Sequence, residues 1–155
     1  MKNFKDIENR EWSISLTISS IKRVKSLIDV DLLALDQGTP PLLTRLALDI
    51  ELFCNVLYLL IKPQADKREL SDEQFGEALD GDTILKAHEC FYQELEDFFQ
   101  GLGRSDLVKA IQAQKKVINL AVKKVEETIN QIDLEKVLGN IDVPISGKSS
   151  TSSQG

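Results

Sequence analysis

The chain is poor in the residues that staple a fold or hold a metal: two cysteines and one histidine in 155 residues. That count excludes a disulfide framework and leaves nearly every all-protein zinc site without its ligands. Cys54 and Cys90 each sit among apolar neighbours and read as small core residues, not reactive thiols. Long hydrophobic runs are missing too. The most apolar stretch, Leu52–Ile61, is interrupted by Asn55 and falls far short of the ~20 residues a membrane-spanning helix needs. The first residues, Met1-Lys2-Asn3-Phe4-Lys5-Asp6, lack the apolar core of a signal peptide, so the cytoplasm is the expected location. Basic residues are in the minority, 19 against 25 acidic, for a net charge of −6. This argues against general nucleic-acid binding, which draws on clustered Lys and Arg.

What is present is patterned apolar sequence. Trp12, Ile14, Leu16 and Ile18 alternate with Ser13, Ser15 and Thr17, the period of a half-buried strand. With Phe4 and Ile7 before it and Glu8-Asn9-Arg10 as a turn, the segment predicts a β-hairpin, roughly 3–8 with 11–17. Such a hairpin needs helices to pack on. The spacing of Ile18, Ile21, Val24, Leu27 and Ile28 then predicts an amphipathic helix, capped by Ser19 or Ser20. A short apolar helix is expected around Leu32–Leu35, ended by Gly38 and Pro40-Pro41. The paired prolines predict the next helix start, with Thr39 as its cap.

Asp49 marks a further cap or kink before the most apolar helix, Leu52–Ile61, which Pro63 is expected to end or bend. Ser71-Asp72-Glu73-Gln74 has the form of a capping box. Gly81 fits a left-handed stop and Asp82 the following cap, opening a helix of about 18 residues to Gly101. Ser105 then caps the longest helix, roughly 106–138, with Gly139 past its end. Along it Ile118, Val122, Val125, Ile129 and Ile132 follow intervals of 4, 3, 4 and 3 residues, which is heptad spacing. Such a helix either lies along its own domain or pairs with another helix. The Ser- and Gly-rich stretch 140–155 is expected to be disordered.

Chemical motifs are sparse. His88 falls on or beside the apolar face of its helix and reads as structural. No nucleophile elbow, Walker loop or dinucleotide fingerprint occurs, and Gly101-Leu102-Gly103 reads as a helix terminator. Asp80-Gly81-Asp82 lacks the further oxygen ligands of a calcium loop. His88 has Leu85, not Glu, three residues before it, so the Glu-x-x-His pairs of four-helix di-metal sites are missing. An enzyme is therefore not expected, and neither a cofactor nor a metal. Charge is segregated instead: residues 66–97 hold 11 acidic and 3 basic residues, and 104–124 hold 6 basic and 1 acidic. The two regions either complement each other within the chain or match a partner.

Four sequence blocks follow one another along the chain. The first is Arg10-Glu11-Trp12 leading into the alternating strand, with Ile21-Lys22-Arg23-Val24 and Val30-Asp31-Leu32-Leu33. The second is Val56-Leu57-Tyr58 with Lys62-Pro63-Gln64-Ala65. The third is Ser71-Asp72-Glu73-Gln74-Phe75-Gly76 with Leu79-Asp80-Gly81-Asp82, and the fourth Glu96-Asp97-Phe98-Phe99. Over roughly residues 4–110 the chain resembles tail assembly chaperones of bacteriophages and prophages with long non-contractile tails. The resemblance implies a non-enzymatic protein that binds the tape measure protein, keeps it soluble and helps recruit tail-tube subunits. The expected partners are those two proteins and a further copy of the chain, without nucleic acid or membrane.

The expected fold is α+β and mostly α-helical: an N-terminal β-hairpin packed on a helical domain (1–104), a long amphipathic helix (105–139) and a disordered tail (140–155). Partner contact is expected along Ile118, Val122, Val125, Ile129 and Ile132. The competing expectations are a permanent virion subunit and a homo-oligomeric coiled-coil adaptor.

Overall fold

The computed structural model describes the backbone of residues 2–141 and the side chains of residues 2–132. The architecture is the expected one: an antiparallel hairpin followed by six helices, the last of them long. The stretch 142–155, most of the expected disordered tail, lies outside the described residues. Residues up to Asn119 form one compact unit, and the long last helix from Leu120 onward belongs to a second. The opening residues of the long helix thus belong with the helical body.

Strands β1 (Lys2–Lys5) and β2 (Glu11–Ile14) pair with Phe4 opposite Trp12 and Asn3 opposite Ser13. Alternation places Phe4, Trp12 and Ile14 inward, all buried. The connecting turn is organised by Asp6, with Asn9 in the left-handed region at φ 65°. The outer edge of β2 does not stay open. Gln64 acts as a surrogate strand: its Oε1 accepts from Ser13 N at 2.9 Å, and its Nε2 donates to Ser13 O at 2.8 Å. Arg68 Nη2 donates to Glu11 O at 2.8 Å, and its guanidinium lies 4.3 Å from the Trp12 ring centroid. An edge closed this way cannot recruit another strand.

Helix α1 (Ile18–Ile28) begins two or three residues earlier than a cap at Ser19 or Ser20 implies. Thr17 is the N-cap and Ser20 returns the hydrogen bond, a capping box with Ser in place of Glu. The apolar run Leu32–Leu35 does not form the expected helix. The Asp31 carboxylate accepts from Leu33 N at 3.0 Å, a local turn that competes with helix. Leu32 and Leu35 are nevertheless buried.

Helix α2 (Leu42–Leu48) is not capped by Thr39, which precedes a cis peptide to Pro40; Pro41 stands at the cap position with no side-chain bond. Asp49 does cap α3 (Ile50–Lys67), accepting from Leu52 N at 3.0 Å. Pro63 does not end α3; it lies inside it. Proline has no N–H, so the Leu59 carbonyl one turn back loses its helical donor. Arg23 supplies the replacement, donating from Nη1 to Leu59 O at 2.7 Å.

Helix α4 (Asp72–Glu77) carries the expected Ser71–Gln74 capping box. Helix α5 (Gly81–Gly101) starts earlier than expected. Asp80 takes the cap and accepts from Thr83 N, so Gly81 is the first helical residue, not a left-handed stop. Helix α6 (Ser105–Ile141) runs past Gly139, which lies within it. The core of the first unit joins Trp12, Phe53, Phe75, Phe91, Tyr92 and Phe99, each nearly or fully buried.

Candidate partner-binding surface

One apolar stripe runs along α6, and its members meet two different environments. Leu107, Ile111 and Ile118 are buried in the first unit. In the second unit Val122 is half-buried, and Val125, Ile129 and Ile132 are 45%, 53% and 56% exposed. Ile118, expected among the partner-facing residues, is therefore a core residue, 7% exposed. The reason is its position: heptad spacing continues a stripe whatever covers it, and up to Ile118 the covering surface is the helical body itself. The exposed part of the expected site reduces to Val125, Ile129 and Ile132, with Val122 at its edge.

The polar contacts explain how α6 is seated. Arg104 pairs with Asp106 at the helix start, Nη2 to Oδ2 at 3.0 Å. One turn before Ile118, Lys115 donates to Glu96 Oε1 and to Gln93 Oε1, both at 2.6 Å. Gln112 Nε2 donates to the other Glu96 oxygen at 3.0 Å. The Lys115 and Gln112 donors outweigh partial burial and hold the Glu96 carboxyl below the usual carboxylate range. Lys115 thus interrupts the apolar heptad because it answers α5. This contact joins the acidic and basic regions within the chain. Lys116, Lys123 and Lys124 stay exposed, as do Glu126 and Glu127.

The residues with chemical potential serve the fold. His88 is buried and stacks on Phe53 at a 3.7 Å centroid distance. Its Nε2 lies 3.2 Å from the Leu46 carbonyl, which only accepts, so that nitrogen carries the proton. Burial pushes the His88 pKa down, against the opposing pull of the Leu46 and Ile84 carbonyls. Both cysteines are half-buried; Cys90 Sγ donates to Asn3 O at 3.1 Å. Burial raises both thiols, with Asp72 adding to the effect at Cys54 and Glu89 at Cys90. Gly103, at φ 73°, follows the end of α5 as a terminator should. Among the described residues no group of three or more His, Cys, Asp or Glu side chains is placed to hold a metal ion. No helix among them is long and apolar enough to cross a membrane.

The blocks that carry the resemblance have structural roles in this fold. Arg10 and Trp12 hold the Asp6 turn, Arg23 serves the carbonyl freed by Pro63, and Gln64 closes the hairpin edge. Ser71 and Gln74 cap α4, and Glu96 anchors Lys115. Compared with models of protein families, with curated proteins and with solved structures, the chain matches none.

Proposed function

We propose that this chain is a non-enzymatic tail assembly chaperone of a long-tailed bacteriophage or prophage, working in the cytoplasm of the bacterial host. In this reading it binds the tape measure protein, keeps that long helical client soluble and helps recruit tail-tube subunits. The observation that carries the reading is the run of Val125, Ile129 and Ile132, left exposed on a helix whose earlier stripe is buried. A helical client offers apolar anchors at three- and four-residue spacing, and such a stripe is the matching surface. The order and spacing of the four sequence blocks add the phage context.

The test is co-expression with the tape measure protein of the same genome, followed by light-scattering mass of the soluble fraction. A soluble complex with several copies of this chain per client is the expected result. An insoluble client, with this chain alone at a fixed mass, overturns the reading. Finished particles give an independent check: a chaperone is missing from them, whereas a permanent virion subunit remains at fixed stoichiometry.

A further inference from the structure

We propose that the exposed stripe of α6 pairs with the same stripe of a second copy of this chain, the two helices running antiparallel. The inference stands apart from the client reading, because it rests on two properties of α6 alone. The first is the seam. Val122, Val125, Ile129 and Ile132 follow intervals of 3, 4 and 3, the alternation that keeps one face toward a partner helix.

The second is the distribution of charge along the helix. Residues 116–124 hold three exposed lysines (Lys116, Lys123, Lys124) and no acidic residue, whereas 125–141 hold 4 acidic (Glu126, Glu127, Asp133, Glu135) against 1 basic (Lys136). A parallel pair sets like charge beside like at every level. An antiparallel pair sets the basic half of each helix beside the acidic half of the other, which fixes orientation and speeds encounter. A single register satisfies both properties. With Val122 level with the partner copy's residue 132 and Val125 level with its residue 129, all four apolar layers coincide. The same register brings Lys123 level with residue 131 of the other copy, between its Glu127 and Asp133 in sequence.

Two features make this pairing reversible. The seam covers about two heptads, short for a coiled coil. In this register Glu126 also comes beside the two-fold axis, near its own counterpart, and that repulsion subtracts from the attraction. The assembly is thus a concentration-dependent dimer, open to competition from a longer helical client.

The experiment uses full-length chains with single cysteines on the seam, Val125→Cys and Ile129→Cys, under mild oxidation. Wild-type chain, whose Cys54 and Cys90 are half-buried, is the blank. An antiparallel pair brings 125 against 129, so a cross-linked dimer forms when the two variants are mixed and not with either alone. Sedimentation over a concentration series adds the second readout: Ile129→Asp raises the dimer dissociation constant about tenfold or more, since it places a charge in an apolar layer. Circular dichroism checks that the variant stays helical. Cross-linking of each variant with itself shows a parallel pair and overturns the proposal. So does a wild-type chain that remains monomeric across the series, whether or not it captures a client.

Discussion

The indole nitrogen of Trp12 donates to Asp6 Oδ2 at 2.9 Å, and both residues are buried. Arg10 Nε donates to the same oxygen at 2.9 Å, while Asp6 Oδ1 accepts from the backbone N–H groups of Glu8 and Arg10. One carboxylate therefore ties the hairpin turn to the core tryptophan. Burial alone raises the Asp6 pKa. The Trp12 and Arg10 donors, with the Arg10 charge, outweigh it and leave the carboxyl below its ordinary 3.8.

Asp6→Asn tests this arrangement. The amide places an N–H where the indole and guanidinium donors need an acceptor, and removes the Arg10 ion pair. The expected loss is about 2–3 kcal/mol in urea unfolding at neutral pH. Because the folded pKa is depressed, the contribution of Asp6 is complete above the unfolded pKa of ~3.9. It is lost as pH falls through the lower folded value, so the gap between wild type and Asp6→Asn closes in acid. A gap that stays constant down to the acid transition contradicts this role.

His88 has the opposite chemistry and titrates nearer neutrality. Its folded pKa lies below 6.5, so the unfolded chain takes the proton first. Stability is full above about pH 6.5 and falls as pH drops from there to the folded pKa, with a slope of at most about 1.4 kcal/mol per pH unit. The sequence holds one histidine, so proton NMR of its ring reports the folded pKa without an assignment. A midpoint at or above 6.5 contradicts the buried, neutral ring.

Ile111 and Ile129 lie on the same stripe of α6, one fully buried and the other 53% exposed. Ile111→Ala is expected to cost about 2–4 kcal/mol of unfolding free energy, for lost burial and the cavity it leaves. Ile129→Ala, measured at concentrations that keep the chain monomeric, is expected to stay within about 0.5 kcal/mol of wild type. Equal losses at both positions show that Ile129 is covered by its own chain.

Much of this architecture was legible in the sequence, because period and capping are local properties. The alternation around Trp12, the Ser71–Gln74 box and the Asp49 cap all appear where local chemistry places them. The misreadings share a physical cause: a distant or neighbouring side chain decides the local outcome. Pro63 does not end α3, and the carbonyl it frees at Leu59 is taken by Arg23, 36 residues away. Leu32–Leu35 turns because the Asp31 carboxylate offers the backbone another partner. The α6 stripe was legible as a pattern, but a heptad does not say where its cover ends. Ile118 and Val125 have the same spacing signal and opposite burial.

The central claim is that the exposed end of the α6 stripe binds a helical client. The most direct test pairs wild type with the double variant Val122→Asp/Ile129→Asp, each co-expressed with the tape measure protein of the same genome. Both chains should fold alike by circular dichroism and thermal melt. The account predicts a soluble client complex with wild type, and loss of both the complex and client solubility with the double variant. Equal yields of the same soluble complex from both chains would contradict it and move the binding surface away from α6.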